Sequence, residues 1–327
     1  MKRKVDTEVI RLPANVRACT GVECDNAWLV RDRESQCLYT DFRYVPMVHR
    51  VAPQLQVRDV RRLKVSGKRI GYEEGISVAD FKRLQALAPR ATFVDISRKL
   101  AECRAVKRPE EIARLRLAAA LNDRIWQAAA KRFRAGMTEQ AMARVIRKLM
   151  IEWGDGEAFE TIVCVGANAA ECHHVPDETV WNGREPVLVD MGVKLNGYCS
   201  DMTRCLRPRN RRRGLYDRVY ALVLEANAAA IAAARPGITG KALDRVARAL
   251  IRKGGFGKCF GHSLGHGVGL EIHEAPYAST KSTWTLKPGM LITIEPGVYL
   301  EGNLGVRIED LVLITETGCE VLSHSEK

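Results

Sequence analysis

Short apolar runs bounded by turn residues alternate along the chain with long Ala- and Leu-rich stretches of helical period. Residues 1–105 contain only short runs of both kinds and predict a small α/β domain. A long helix is expected to open at Lys107, because Pro109 suits a first helical turn and acidic side chains favour a helix N-terminus. Gly136 suits its C-cap. The chain is therefore predicted to divide into domains 1–105 and 106–327.

The second domain contains an internal repeat. Residues 136–145 and residues 237–246 carry Gly, Thr, Ala, Arg and Val at the same relative positions, 101 residues apart. Each copy places a Gly-x-Thr turn between an Ala-rich helix and a second amphipathic helix, and strands follow. A two-fold repeat of this kind usually holds a site between its halves.

The first half of the repeat contains a predicted hairpin with two acidic residues. Asp190 lies in an otherwise apolar strand, and Asn196-Gly197 is a strong signal for the turn that follows. Pairing about that turn sets Asp201 opposite Gly192, on the same face as Asp190, because side chains alternate along a strand. Two carboxylates this close repel each other unless a cation lies between them.

The second half repeats this arrangement. Glu295 and Glu309 lie almost symmetrically about a turn near Gly302-Asn303, again in mostly apolar strands. Four acidic residues paired both by hairpin and by repeat predict an oxygen-rich cage for two divalent ions.

Histidines add candidate ligands and catalytic groups to this cage. His262, His266 and His273 fall within twelve residues, interleaved with glycines that allow close backbone approach. His173, beside His174, precedes the first hairpin and is a further candidate.

Composition narrows the setting of this site. The chain is 46% hydrophobic and 28% charged, and it has no apolar run of the ~20 residues that span a bilayer. The basic N-terminus has no apolar stretch behind it, so we expect a cytoplasmic protein without a membrane partner. Ten cysteines without a C-x-x-C pair indicate reduced thiols.

The formal net charge of +13 raises the question of a nucleic-acid partner. The excess is greatest in residues 1–105 and is scattered rather than arranged as a stripe. The densest basic run, residues 207–213, contains Pro208 and is expected to be an exposed loop. This pattern favours a solvated surface over a surface that binds nucleic acid.

Taken together, these motifs resemble the pita-bread metallopeptidases, specifically the prolidase and Xaa-Pro aminopeptidase branch. The resemblance covers nearly all of 106–327 and, more weakly, 14–105. It implies an α/β (α+β) chain with a small, apparently shortened, N-terminal creatinase/prolidase-like domain and a pseudo-two-fold catalytic domain. The motifs that carry it are Val-Asp-Met-Gly at 189–192, Ser-Asp-Met-Thr-Arg at 200–204, the histidine segment at 262–276, Thr-Ile-Glu-Pro-Gly-Val-Tyr at 293–299, and Val-Arg-Ile-Glu-Asp at 306–310.

The resemblance also implies a mechanism. A hydroxide that bridges two divalent metal ions would be the nucleophile, with Mn²⁺ the first choice and Co²⁺, Zn²⁺ or Fe²⁺ as alternatives. Glu295 would also relay protons. The implied metal ligands are Asp190, Asp201, His266, Glu295 and Glu309.

The remaining implied roles concern the substrate, a peptide with proline at its second position. His173 and His273 would steady the substrate and its tetrahedral intermediate, and His262 would line the pocket. Arg307 would orient the carboxylates. The resemblance further implies a homodimer.

One departure from the family pattern leaves the substrate open. Many relatives carry Arg directly after the His-Glu-x-Pro segment, where it can bind the C-terminal carboxylate of a dipeptide. Here that position is Tyr277, with Lys281 four residues on, so aminopeptidase and dipeptidase remain alternatives. Two other readings are a catalytically silent pita-bread binding module and a hydrolase of a small non-peptide substrate.

Overall fold

The computed structural model describes residues 5–207 and 214–327, in two compact units, Met1–Arg104 and Ala105–Lys327. The predicted boundary lay between 105 and 106. Most of the basic run at 207–213, predicted as an exposed loop, lies outside the described residues. No described helix is long and apolar enough to cross a membrane.

The first unit is built on a six-stranded mixed sheet of order β4-β3-β2-β1-β5-β6. The pairs β1–β2 and β2–β3 are antiparallel, and the other three pairs are parallel. The strands are β1 (Thr7–Ile10), β2 (Ala27–Arg31), β3 (Gln36–Thr40), β4 (Gln56–Asp59), β5 (Arg69–Tyr72) and β6 (Thr92–Asp95).

Helices cover both faces of this sheet, which explains why the inner strands β2 and β3 are mostly apolar runs rather than alternating ones. Trp28 and Leu29 are neighbours in β2 and belong to different hydrophobic clusters, because successive side chains point to opposite faces. Leu29 packs with residues of three helices, and Trp28 packs with Leu84 of a fourth. The helices are α1 (Pro13–Thr20), α2 (Val45–Val51), α3 (Val78–Leu87) and α4 (Ser97–Ala105).

The second unit shows the predicted repeat in its helices, α5 (Pro109–Ala130), α6 (Glu139–Trp153), α7 (Leu215–Ala233) and α8 (Gly240–Lys253). Thr138 caps α6 by accepting a hydrogen bond from Ala141 N at 3.1 Å, and Thr239 caps α8 in the same way from Ala242 N at 3.1 Å. Gly136 and Gly237 precede the two caps with φ of 93° and 84°, a conformation that favours glycine.

The two halves differ at one position of this turn. Glu139 follows the cap of α6, whereas Gly240 follows the cap of α8. A Cβ atom on Gly240 would lie 2.1 Å from the carbonyl oxygen of Tyr277, so the backbone of a strand occupies the place of a side chain.

The prediction that α5 runs to Gly136 is wrong, since the helix ends at Ala130. The Arg134 guanidinium folds back and donates to the carbonyl oxygens of Lys131 at 2.6 Å and Phe133 at 2.7 Å. It thereby satisfies carbonyl groups near a helix end that otherwise lack a partner.

The strands of the second unit form small antiparallel sheets that carry the acidic residues. The sheet orders are β12-β9-β8, β11-β10-β7, β15-β18-β19, β13-β14 and β16-β17. The strands are β7 (Gly156–Glu157), β8 (Ile162–Val165), β9 (Val187–Met191), β10 (Val193–Leu195), β11 (Tyr198–Cys199), β12 (Met202–Leu206), β13 (Gly265–Gly267), β14 (Glu274–Ala278), β15 (Leu291–Ile294), β16 (Gly297–Leu300), β17 (Leu304–Arg307), β18 (Asp310–Ile314) and β19 (Cys319–Val321).

Both predicted hairpins have the predicted register. In the first, Met191 pairs with Met202 and Lys194 with Cys199, which sets Asp201 opposite Gly192. In the second, Ile294 pairs with Asp310, which sets the preceding Glu295 opposite Glu309. The described chain is thus a mixed α/β protein with a pseudo-two-fold second unit, as predicted.

A buried asparagine in the long helix of each half holds a strand of these hairpins. Asn122 of α5 donates its side-chain amide to the carbonyl of Met191 at 2.9 Å, one residue after Asp190. Asn227 of α7 donates to the carbonyls of Ile294 at 2.9 Å and Ile308 at 3.3 Å. Those carbonyls directly precede Glu295 and Glu309, so the helix fixes the strand positions of both acidic residues.

We therefore expect Asn227→Ala to destabilise the protein by about 1–3 kcal/mol, because it leaves buried carbonyl groups unsatisfied. The free energy of unfolding in urea, measured in chelator, is the readout. Asn303→Ala in the exposed β16–β17 turn is the matched control and should change stability by less than ~0.5 kcal/mol. Equal effects for the two variants would contradict this role.

Candidate metal centre and active site

A pocket of about 460 Å³ opens between the two hairpins of the second unit. All nine residues that the sequence predicts for the site line it, and the structure therefore brings them together. These residues are His173, Asp190, Asp201, His262, His266, His273, Glu295, Arg307 and Glu309.

The centre of the pocket is a cluster of atoms that can serve as metal ligands. Asp201, His266 and Glu309 each offer one atom, and these atoms all lie within 4.8 Å of one another. His266 Nε2 is 3.7 Å from Asp201 Oδ2 and 3.4 Å from Glu295 Oε1. Both distances exceed those of ordinary hydrogen bonds, so His266 makes no close hydrogen bond to either carboxylate.

The environment of His266 makes it a neutral ligand. Its Nδ1 lies 3.1 Å from the carbonyl oxygen of Gly267, which assigns the ring proton to Nδ1 and leaves the Nε2 lone pair towards the carboxylates. Burial lowers the pKa of His266 to about 4. Gly265 and Gly267 flank it because a Cβ at either position would overlap the carbonyl of Thr293 or Ala275.

The carboxylates are crowded and desolvated. Burial, together with the charge of Glu309, raises the pKa of Asp201 well above its usual range. Burial and the charge of Glu295 raise the pKa of Glu309 in the same way, and burial raises that of Glu295 to about 8. Asp190 Oδ1 is buried without a hydrogen-bond partner. Crowded buried acceptors with few donors fit a divalent cation, which would favour their ionised forms.

Arg307 connects two of the acidic residues. Its guanidinium donates to Asp190 Oδ2 at 2.7 Å and to Thr203 Oγ1 at 3.0 Å. Thr203 in turn donates to Glu309 Oε2 at 2.7 Å. Arg307 therefore contacts one predicted ligand directly and a second one through Thr203, and its orienting role stays a prediction.

His262 is also held as a neutral ring. Its Nε2 lies 2.8 Å from the Tyr299 hydroxyl, which accepts a hydrogen bond from Arg307 at 2.9 Å. Burial, with the nearby Arg307 charge, lowers the pKa of His262 to about 4. The Nδ1 proton of the neutral His262 ring is directed to the Ser263 carbonyl at 2.8 Å. Its Nε2 therefore accepts a hydrogen bond from the Tyr299 hydroxyl.

Sequence reasoning gave no role to Thr203, Thr293 or Tyr299. Thr293 donates to Glu295 Oε1 at 3.1 Å and accepts from His266 N at 3.0 Å. Thr203 and Thr293 each lie two residues from a predicted ligand in sequence, so strand alternation places them on the same face. The alternation of side chains along a strand is therefore the sequence signal that could have identified Thr203 and Thr293.

The pocket residues His173 and His273 are held differently. The His273 ring meets the His266 ring edge-on, with centroids 4.4 Å apart. The next residue, Glu274, is anchored by Lys107 Nζ at 2.6 Å. The His173 ring is exposed and makes no hydrogen bond within the described residues 5–207 and 214–327.

Apolar residues form the outer walls of the pocket. Tyr277 is 41% exposed and Val175 is 69% exposed, both at the lining. Lys281 is not among the described lining residues. The apolar members are Phe159, Ile162, Val175, Pro176 and Ile272. Such a wall suits an apolar part of a ligand beside a polar reacting centre.

A second acidic and histidine group lies behind one wall. Glu139, His174 and Asp177 offer atoms within 4.8 Å of one another, a group that the sequence analysis did not predict. Burial opposes protonation of His174, but its hydrogen bonds with Glu139 at 2.7 Å and Glu171 at 3.2 Å prevail and raise its pKa above the ordinary value.

This raised pKa predicts a pH-dependent stability. The contribution of protonated His174 should be fully present below its unfolded pKa of about 6.5 and should be lost as pH rises through the folded-state pKa. The urea midpoint in chelator should therefore fall between pH 6 and pH 9 more steeply in the native protein than in His174→Gln. Glu171→Gln, which removes one carboxylate partner, should give an intermediate slope. Parallel curves for native protein and His174→Gln would refute the assignment.

The fold and the buried acid–imidazole cluster define a hydrolase of the metallopeptidase class. The chain belongs to metallopeptidase family M24, whose model matches residues 113–316. The model of the creatinase/prolidase N-terminal domain matches residues 1–106. These matches confirm the predicted family and the pita-bread architecture.

Individual proteins resemble the chain over nearly its full length. An uncharacterized peptidase of Staphylococcus aureus (strain bovine RF122 / ET3-1) is 33% identical over 351 aligned positions, covering 99% of this chain and 96% of the relative. The solved prolidase from Pyrococcus furiosus is 33% identical with a TM-score of 0.91, covering 99% and 97% of the two chains. The X-Pro aminopeptidase from Thermotoga maritima MSB8 is 31% identical with a TM-score of 0.88, covering 98% and 96%.

Proposed function

We propose that this metallopeptidase hydrolyses the peptide bond between an N-terminal residue and a following proline. The observation that carries the proposal is the buried cluster of Asp201, His266 and Glu309, whose ligand atoms lie within 4.8 Å of one another. The similar solved structures named prolidase and X-Pro aminopeptidase support proline as the second residue.

In this proposal two divalent ions, Mn²⁺ first, are held by the five predicted ligands. Carboxylate and imidazole donors suit Mn²⁺, Co²⁺, Fe²⁺ and Zn²⁺. When bound, such ions polarise the scissile carbonyl and make a water nucleophilic at neutral pH. The ligands are Asp190, Asp201, His266, Glu295 and Glu309.

The side chains around the cluster supply proton transfer and orientation. Glu295, held by the Thr293 hydroxyl at 3.1 Å, accepts a proton during attack and returns it to the departing proline nitrogen. His173 and His273 donate hydrogen bonds to the substrate and to the developing oxyanion. Arg307 keeps Asp190 in place through their 2.7 Å ion pair.

The pocket wall favours a peptide longer than two residues. Among the described lining residues, Arg307 is the one Arg or Lys, and its guanidinium is already bonded to Asp190, Thr203 and Tyr299. Tyr277 stands at the mouth, where a dipeptide carboxylate would need a cation. We therefore favour an Xaa-Pro aminopeptidase over an Xaa-Pro dipeptidase.

We expect the chelated and Mn²⁺-reloaded enzyme to cleave Ala-Pro-Ala-Ala with a higher kcat/KM than Ala-Pro, measured by release of alanine. Ala-Ala-Ala-Ala is the matched control for the proline requirement. Cleavage of Ala-Pro alone would mean a dipeptidase. Metal-dependent turnover without proline preference would favour a different hydrolase, and metal binding without turnover would favour a binding module.

Replacement of a proposed ligand should remove both metal and activity. We expect Asp201→Asn and Glu309→Gln to lower kcat/KM by more than about 100-fold, since loss of even an outer partner of a metal ligand costs about 10–100-fold. Bound metal per chain, measured by inductively coupled plasma mass spectrometry, should fall as well. Glu320→Gln, in the exposed ion pair with Arg116, is the control. Full metal content with full activity in either ligand variant would contradict the assignment.

The remaining expectations from the family resemblance also stay predictions. These are a homodimer, a cytoplasmic location and the absence of a nucleic-acid partner. The solution mass from light scattering tests the first of them directly.

A further inference from the structure

One wall of the pocket is a single segment, residues 165–177, which begins at the last residue of β8. It contains the lining residues Cys172, His173, Val175 and Pro176. Apart from the short 3₁₀ turn Gly166–Ala170, it has no regular secondary structure. Its position therefore depends on side-chain contacts rather than on a strand or helix ladder.

Glu139 makes four of those contacts. Its Oε1 accepts hydrogen bonds from Val165 N at 2.6 Å and from Asn168 Nδ2 at 3.0 Å. Its Oε2 accepts from His174 Nε2 at 2.7 Å and from Asp177 N at 3.1 Å. The carboxylate is completely buried. One side chain thus ties the beginning, middle and end of the segment to the first turn of α6.

His174 pairs with this buried carboxylate and, when protonated, neutralises its charge. Its second nitrogen, Nδ1, lies 3.2 Å from the exposed carboxylate of Glu171, so both ring nitrogens have carboxylate partners. Burial of a carboxylate is costly unless the group is paired and hydrogen-bonded. Glu139 meets both conditions, through His174 and through its three other donors.

The group of Glu139, His174 and Asp177 is better explained by this pairing than by a metal. The 2.7 Å separation of Glu139 Oε2 and His174 Nε2 is that of a charge-assisted hydrogen bond. Each Glu139 oxygen already has two donors, and Asp177 is exposed.

His173 depends on this anchoring because its own ring makes no hydrogen bond within the described residues 5–207 and 214–327. The backbone of the segment is supported from the other side, where Gly305 packs so closely that a Cβ would lie 1.7 Å from the Ala169 carbonyl oxygen. Arg307 Nη1 also lies 3.5 Å from the Cys172 carbonyl. The position of the His173 ring is therefore determined by Glu139 on one side of the segment and by Gly305 and Arg307 on the other.

We propose that Glu139, charge-paired with His174, is a positioning residue that holds the 165–177 segment so that His173 faces the substrate. The proposal rests on the proposed function, in which His173 contacts the substrate. Glu139 itself touches neither the substrate nor the proposed metal ligands.

A double-mutant cycle tests this coupling. Glu139→Gln offers one acceptor oxygen where donors approach two, so the segment should shift and kcat should fall about 10- to 100-fold, with bound metal unchanged. In a His173→Ala background, Glu139→Gln should change kcat by less than about 2-fold, since the group it positions is gone. The assay uses Mn²⁺-loaded full chain and Ala-Pro-Ala-Ala.

Two further variants separate positioning from folding. His174→Gln keeps three of the four hydrogen bonds to Glu139 and should give a smaller fall in kcat that also disappears in the His173→Ala background. Glu152→Gln, on the exposed face of the same helix α6 near Lys148, is the matched control and should leave kcat unchanged. Equal losses in both backgrounds, or loss of bound metal in Glu139→Gln, would overturn the proposal.

A measurement without substrate distinguishes failure of this proposal from failure of the proposed function. In ¹⁵N-histidine spectra of the protein loaded with diamagnetic Zn²⁺, the signal absent from His173→Ala identifies His173. That signal should shift or broaden in Glu139→Gln and remain in place in Glu152→Gln. An unchanged His173 signal would refute the positioning role even if no Xaa-Pro peptide is cleaved.

Discussion

Mutual repulsion among buried acceptor atoms is the constraint around which the second unit is organised. Asp201, Glu309 and the lone pair of a neutral His266 meet in a buried pocket where water screens poorly, and His266 lies too far from Asp201 for a close hydrogen bond. Such a cluster would spread apart if its backbone were free to move. The surrounding structure therefore has to hold the strands rigidly before any ligand is present.

That rigidity comes from polar groups placed behind the strands. The amides of Asn122 and Asn227 fix the strand carbonyls next to the acidic residues. Arg204, almost fully buried, donates to the Glu309 carbonyl at 2.6 Å and pairs with Asp310 at 2.9 Å. Buried charges are costly unless they are paired, so these contacts are retained for the geometry they impose rather than for stability alone. The segments that carry His173 and His273 are anchored by Glu139 and by Lys107, respectively.

The sequence predicted the structure correctly where the geometry follows from the local pattern of side chains and turn residues. The turn at Asn196-Gly197 determines the register of the first hairpin, and the register determines that Asp190 and Asp201 share a face. The Gly-x-Thr caps of α6 and α8 follow from the same rules. The contacts that the sequence did not predict join residues that are distant from each other along the chain. Lys107 and Glu274 are 167 residues apart, and no periodicity predicts their contact. The early end of α5 has a local cause instead, since the Arg134 guanidinium bonds to the carbonyls of Lys131 and Phe133 directly after the helix, a contact that helical periodicity does not predict.

The unequal residues that follow the two helix caps have a consequence for how a peptide can lie in the pocket. A site with strict two-fold symmetry would accept a chain in either direction with the same energy. Here Glu139 ties one wall through its side chain, whereas at Gly240 the Tyr277 carbonyl occupies the corresponding space. The duplicated framework thereby presents two different walls to the pocket. An amino terminus and a carboxyl terminus meet different surroundings, and cleavage can be confined to one end of the peptide.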